Sequence, residues 1–379
     1  MANALATGLM PDDKFLQTGL SSGMSATAGI HSSKPKPVPE EHAGKNILPL
    51  DYVPTTSTRL DIPTAKGTPV KVAPISIGAW PWGDQGTFHW SEEQLPEIKA
   101  TWKKLYDAGL TFIDTASAYG NGRSEEIVGE LVRGLPRDSY VIQTKYLGLP
   151  TALNNYTNPV DAVVQECKKS LERLGLEYMD IYLVHGHIHP QSNAKVAEGL
   201  AKCVELGLTK AVGVANYSND DVLKMKAELA KYNVPLATQQ VEFSILRRLP
   251  EIEGEIDLCQ KNGIIFQSYS SLGQARLGGD YSPSNPPPKT YKFSNYAMED
   301  IQHTTDVVKS IADKRGKSMA SVALNYNISK GALPVVGIRT QKQAQDTIDA
   351  LGWRLTEEEV TAIDKVSVYG NKTALWQQG

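Results

Sequence analysis

Thr111-Phe112-Ile113-Asp114-Thr115-Ala116-Ser117-Ala118-Tyr119-Gly120 is a short apolar strand that stops at a carboxylate and runs into a loop carrying a phenol. Two later stretches repeat the form: Val141-Ile142-Gln143-Thr144 ends in Lys145, and Ile181-Tyr182-Leu183-Val184 ends in His185. Strands that are apolar throughout, rather than at alternate residues, suit a parallel sheet covered on both faces. Working outward, strands of this kind are predicted at residues 72–78, 111–114, 140–145, 179–185, 209–214, 236–240, 264–269 and 333–337. Amphipathic helical stretches follow them, as at 161–174, where Ala162, Val163, Cys167 and Leu171 recur at helical spacing. Alternating strands and helices predict an α/β chain, and eight such units are the number that closes a (β/α)8 TIM barrel. An open doubly wound sheet is the competing arrangement.

A hairpin is predicted at 58–71 around Lys66-Gly67, ahead of the first barrel strand. Residues 1–57 show no sustained period and are rich in Ser, Thr, Gly and Pro, including Lys34-Pro35-Lys36-Pro37-Val38-Pro39. They read as an irregular extension, mobile or draped, because they offer too little apolar surface to offset chain entropy. Residues 58–379 read as the barrel unit. Between Tyr269 and the helix near Glu299 lies a long connection with Gly278-Gly279, Pro283 and Pro286-Pro287-Pro288. Its core, 273–296, leaves the functional face of the barrel, so it reads as a lid or cofactor clamp, with an inert insertion as the alternative.

With 41% hydrophobic and 21% charged residues over 379 positions, a large core is feasible. No apolar run approaches the roughly 20 residues of a membrane span. A formal net charge of -3 gives no general basic field, which argues against nucleic acid or an anionic membrane as a partner. Cys167, Cys203 and Cys259 are far apart, and no C-x-x-C occurs, so they read as thiols in a reducing compartment. The N-terminus lacks a charged region followed by an apolar one. Its Ser, Thr and Ala content is faintly like a transit peptide, but Asp12, Asp13 and the absence of early arginines oppose that reading; a cytoplasmic location is expected.

In a barrel of this class the strand ends facing the βα loops form the active site. Asp114, Lys145 and His185 end successive strands, so an acid, an amine and an imidazole meet at one mouth, with Tyr119 able to fold over them. Each alone has a plain structural reading, as a loop cap, a snorkelling lysine or a locally satisfied histidine. Together they suit carbonyl reduction. A carbonyl that accepts hydride gathers negative charge on oxygen and needs a proton as it does so. Lys145 is expected to lower the pKa of Tyr119, and Asp114 to hold Lys145. His185 also opens His185-Gly186-His187-Ile188-His189, and a His-x-His pair can bind zinc. Only His303 follows, which leaves too few ring nitrogens, so no metal site is expected.

With Gly122-Arg123-Ser124-Glu125 following Tyr119, residues 111–126 resemble the signature stretch of the aldo-keto reductase superfamily, and the similarity runs from about 72 to 351. The resemblance implies NADPH-dependent reduction of an aldehyde or ketone to an alcohol, with Asp114, Tyr119, Lys145 and His185 as the catalytic set and Tyr119 as proton donor. The Gly-x-Gly-x-x-Gly fingerprint is absent, since Gly120-Asn121-Gly122-Arg123-Ser124-Glu125 has Glu at the third glycine position. The resemblance instead implies an extended NADP(H) site. Asn216, within Gly213-Val214-Ala215-Asn216-Tyr217-Ser218, and Gln240 would bond the carboxamide; Tyr269 would stack on the nicotinamide; Ser270, Leu272 and Gln274 would line the pyrophosphate. Gly337, Arg339, Gln343 and Asp346 would form the adenosine end, with Arg339 on a 2′-phosphate. Ala215, Ser271 and Thr347 depart from the family pattern, where serine, proline and asparagine are usual.

Substrate walls are expected from Trp80, Trp82, Trp90, Tyr146 and His187, Trp82 and Tyr146 foremost. The implied partner is a small carbonyl compound, and the implied assembly a monomer or weak homo-oligomer. Pyridoxal, an aliphatic aldehyde and a polyketide or terpenoid ketone all remain open. The alternative is an NADP-binding regulatory subunit with little turnover, which the long extension favours.

Overall fold

Eight parallel strands close on themselves in the computed structural model, which describes residues 34–373 and 376–379. A two-stranded antiparallel hairpin, β1 (Leu60–Ile62) and β2 (Val70–Val72), comes first, turning at Gly67 with φ of 80°. The barrel strands are β3 (Ser76–Gly78), β4 (Phe112–Asp114), β5 (Val141–Tyr146), β6 (Met179–Val184) and β7 (Thr209–Ala215). They continue with β8 (Leu236–Glu242), β9 (Ile265–Tyr269) and β10 (Leu333–Gly337), which pairs back onto β3. The molecule is thus an α/β (β/α)8 barrel with an N-terminal hairpin. One predicted strand needs correction. Residues 72–78 are split: Val72 belongs to the hairpin, and Pro74, which has no N–H to donate to a ladder, separates it from the barrel strand.

Apolar runs lie where the sequence demands burial. Every residue of β6 and β8 is buried, one face against the barrel interior and the other under helices. The helices Asn193–Glu205 and Asn219–Ala230 start at Ser192 and Ser218, whose hydroxyls accept from the N–H of Lys195 and Asp221, and Gly175 ends Pro159–Leu174 in a left-handed conformation. At Gly213 the pairing of β7 with β8 shifts register; a Cβ there would lie 2.2 Å from Thr238 Oγ1 and 2.7 Å from Leu183 Cδ2. Only glycine lets the strands approach at that step. All three cysteines are free and buried.

Residues 34–57 are draped over the barrel. Pro37 bridges Val368, Leu48 N–H donates to Ser329 O at 2.9 Å, and the buried side chains of Arg248 and Lys330 donate to the carbonyls of His42 and Lys45. The part of the extension at residues 1–33 lies outside the described residues. The connection after β9 runs to the helix Gln302–Arg315 without a helix or strand of its own, and it crosses the mouth of the barrel. Among the described residues no helix is long and apolar enough to cross a membrane.

Candidate active site

Strands β4, β5, β8 and β9 supply the floor of the mouth. Lys145 lies two residues beyond Gln143 on β5, hence on the same inward face. Its Nζ donates to Asp114 Oδ2 at 2.6 Å, Thr115 O at 2.9 Å and Tyr119 Oη at 3.2 Å. These three acceptors match the three donors of an ammonium. Asp114 Oδ1 accepts from Gln143 Nε2 at 2.6 Å and Gln240 Nε2 at 3.2 Å, and both amides also donate to Gln267 Oε1. Two glutamines, tied together through Gln267, therefore lock the carboxylate that locks the lysine. Gln143 and Gln267 are absent from the sequence reading. A signal for them existed: each is a polar residue inside a strand, two positions before Lys145 or Tyr269 and so on the same face.

Tyr119 is placed by a turn few sequences can make. Gly120, Asn121 and Gly122 have φ of 55°, 54° and 91°, and a Cβ at residue 120 would sit 2.4 Å from Gly83 O. The phenol ring stacks on Trp80 at 5.9 Å and meets the edge of the His185 ring at 5.4 Å. Burial, with Asp114 adding to it, pushes the phenol well above its ordinary pKa, which corrects the expectation that Lys145 brings it below. Taking the phenolate out of water disfavours it, and the Asp114 carboxylate repels it. Burial also lowers the pKa of Lys145 while Asp114 opposes this, and burial followed by Lys145 pushes His185 well below its ordinary value. At neutral pH the site therefore holds a protonated phenol and a neutral imidazole.

One cleft, about 1290 Å³ including its open mouth, is lined by Asp114, Tyr119, His185 and every residue assigned to the dinucleotide from the sequence. Lys145 lies behind it, in contact with Asp114 and Tyr119. Asn216, with φ of 61°, accepts from Tyr269 Oη at 2.9 Å and donates to His185 O at 3.0 Å, so its amide ties three strand ends together. Gln240 has both Nε2 hydrogens engaged by Asp114 and Gln267, which leaves its carbonyl oxygen for a ligand. Gln274 Oε1 accepts from the N–H groups of Lys292 and Phe293 at 2.6 and 2.7 Å, fastening the long connection over the mouth. At the far end Gln343 Oε1 accepts from Arg339 N–H at 2.8 Å, Asp346 pairs with Lys342, and the Thr347 hydroxyl donates to Gln343 O. The Arg339 guanidinium donates to Phe88 O and makes no ion pair within 4.0 Å among the described residues.

A dinucleotide fits this lining on two grounds. His185 Nδ1 and Gln274 Nε2 are buried with no partner among the described residues, the condition a polar ligand relieves. The guanidinium of Arg339 stands at the cleft with no carboxylate within 4.0 Å among the described residues.

The expected substrate walls need correction. Trp82 is fully buried with Nε1 donating to Ile338 O at 2.8 Å, and Tyr146 is buried with its hydroxyl between Asn155 and Gln191. Tyr146 follows Lys145 directly, so strand alternation turns it to the outer face. Trp90 bonds Glu92, and His187 stacks on Tyr217 at 4.6 Å; neither lines the cleft, whereas Trp80 does. Phe293 and Trp376, which do line it, sit in segments without any period to read. His189 is held by Gln191 O and Tyr217 Oη, apart from His185, and no group of three His, Cys, Asp or Glu among the described residues could hold a metal ion.

Residues 74–368 match the model of the Aldo/keto reductase family, and the chain belongs to that family, whose members are oxidoreductases reducing carbonyl groups with a nicotinamide cofactor. It is 32% identical over 305 residues to pyridoxal reductase, chloroplastic, of Arabidopsis thaliana, which covers 77% of this chain and 82% of that protein. It is 27% identical over 321 residues to the NADH-specific methylglyoxal reductase of Escherichia coli (strain K12), covering 79% and 96%. Among solved structures it resembles the glycerol dehydrogenase AKR11B4 of Gluconobacter oxydans, with a TM-score of 0.69 and 27% identity over 81% of this chain and 94% of that one.

Proposed function

We propose that this protein is an NADPH-dependent reductase of aldehydes or ketones in which Tyr119 delivers the proton. The observation that carries the reading is the buried lysine joining Asp114 at 2.6 Å to the phenol at 3.2 Å, at the edge of the cleft that Asn216, Gln240, Tyr269 and Arg339 line. Bound nicotinamide supplies a hydride, the electron pair that makes the new C–H bond. The carbonyl oxygen then takes the proton of Tyr119. Burial keeps that proton in place until negative charge appears on the oxygen, and the ammonium of Lys145 stabilises the phenolate left behind. Asp114, clamped by glutamines, keeps the lysine charged and aimed. Neutral His185 retains one ring N–H to offer the same oxygen and so orients it. Solvent protons then restore the phenol.

Arg339 supports NADPH over NADH because a guanidinium without an ionic partner suits a 2′-phosphate. The NADH-specific relative makes this a choice to be measured. Trp80, Phe293 and Trp376 present flat apolar walls, which suit an uncharged ring-bearing carbonyl, in keeping with the name of the pyridoxal reductase relative. The free buried thiols suit a reducing compartment, the cytoplasm in this proposal.

The test is turnover and cofactor titration of Tyr119→Phe beside the unaltered protein. Turnover of an aromatic aldehyde should fall by about 10²–10⁴, while NADPH binding persists and is tighter than NADH binding. Turnover that survives the substitution overturns the role of Tyr119. NADPH binding by the unaltered protein without turnover of any carbonyl would select a cofactor-sensing role.

A further inference from the structure

Two segments without regular structure bring rings into the cleft. The connection after β9 carries Phe293, which meets Trp80 at 5.7 Å and Tyr269 at 5.1 Å. The C-terminal tail carries Trp376, whose ring lies 5.1 Å from that of His185 and against Gly186, where a Cβ would come within 3.1 Å of the indole. Each ring has a polar residue directly after it in sequence, and both of these residues bond one carboxylate. Ser294 Oγ donates to Glu242 Oε1 at 2.6 Å, and Gln377 Nε2 donates to Glu242 Oε2.

Glu242 is the last residue of β8 and only 1% exposed. A carboxylate so enclosed needs donors on both oxygens. Arg247 adds charge at 3.8 Å and stitches the tail, donating to Glu242 O, Asn371 O and Gly379 O. Ser294 itself has φ of 46°, a left-handed conformation that a non-glycine residue keeps only when its surroundings hold it there.

We infer that Glu242 is a positioning residue for substrate selectivity: one carboxylate at a rigid strand end holds both segments that wall the substrate space. Its selectivity arm rests on the reductase reading above; its structural arm does not. Losing the Ser294 hydroxyl loosens only the connection, which Gln274 still holds, losing the Gln377 amide loosens only the tail, which Arg247 still holds, and losing Glu242 loosens both together.

The experiment measures hydrogen–deuterium exchange in peptides covering 290–296 and 371–379 of the full chain, alongside the ratio of kcat/KM for benzaldehyde over propanal. In Glu242→Ala, exchange should rise about tenfold or more in both peptides, the population change expected from losing hydrogen bonds to a charged group, and the ratio should fall about tenfold. Ser294→Ala should raise exchange only in the first peptide and Gln377→Ala only in the second. Glu242→Gln, which keeps an acceptor for Ser294 and an amide for a turned Gln377, should stay near the unaltered protein. Should Glu242→Ala fail to fold, the Ser294→Ala/Gln377→Ala double variant takes its place and should loosen both peptides. Equal changes in both peptides for the two single variants, or none, overturn the clasp. Separated exchange with an unmoved ratio overturns the selectivity role, and absence of all turnover with separated exchange leaves the clasp supported and rejects the reductase reading.

Discussion

The floor and the roof of the cleft are built on different principles. On the floor, Asp114, Lys145, Gln143, Gln240 and Gln267 are all enclosed side chains on the strands of a closed barrel, and each bonds at least one of the others. On the roof, Phe293 and Trp376 hang from irregular segments fastened by a handful of side chains, with Glu242, Gln274 and Arg247 foremost. Closure of the barrel leaves the floor little freedom, because moving one group would strand buried polar partners. The roof can change sequence without disturbing that network. A reductase built this way keeps its proton chemistry fixed while its choice of substrate is set elsewhere.

The strongest way to break the comparison is to remove the centre of the floor. Lys145→Met preserves volume but leaves the Asp114 carboxylate in the barrel without its cation. Removing one partner of a buried ion pair typically costs about 3–5 kcal/mol, so chemical denaturation should show a loss of that order. Turnover should fall at least as far as in Tyr119→Phe, because the phenolate loses the ammonium that bonds it. Near-normal stability and activity would show the floor to be as tolerant as the roof.

Legibility in the sequence follows the same division. Asp114, Lys145 and His185 are legible as neighbours because each is a polar residue closing an apolar strand, which brings all three to one mouth of a barrel. Gln143 and Gln267 obey the same alternation yet read as ordinary strand interior; recognising them requires knowing that the barrel core is polar at that level. Tyr146 belongs to the outer face because alternation turns the residue after Lys145 away from the mouth, and Trp82 is hard to place because an indole beside a strand end is indistinguishable in sequence from one packed beneath it. Roof residues carry no period at all, so nothing in the chain marks Phe293 or Trp376. The pKa direction of Tyr119 was equally hidden, since it depends on how completely the folded cleft dries the phenol.

A milder break falls on the roof. Trp376→Ala removes the ring beside His185 and opens the substrate side, while the floor hydrogen bonds remain. KM for an aromatic aldehyde should rise about tenfold, the scale of a lost apolar wall contact of 1–3 kcal/mol, with a smaller change in kcat. Stability should move little, because Trp376 belongs to a small satellite cluster rather than the main core. A drop in kcat larger than the rise in KM would place the indole in the chemistry and blur the division.

The smallest effect tests what burial costs behind the roof, where a carboxylate serves no proton transfer. Glu255 is 1% exposed, accepts from Gln239 Nε2 at 2.7 Å, and is pushed up to about 7, chiefly by burial. Its ordinary value is about 4.5. Between those two values the folded protein holds a proton that the unfolded chain has released. Stability therefore declines as pH rises from about 4.5 to 7 and stays at the lower level above that. Glu255→Gln keeps an acceptor for Gln239 and removes the titration. Measured by denaturation, the variant should gain about 1–3 kcal/mol over the unaltered protein at pH 8, and the gain should shrink toward pH 4.5. A gain independent of pH would mean that packing, not the buried charge, separates the two side chains.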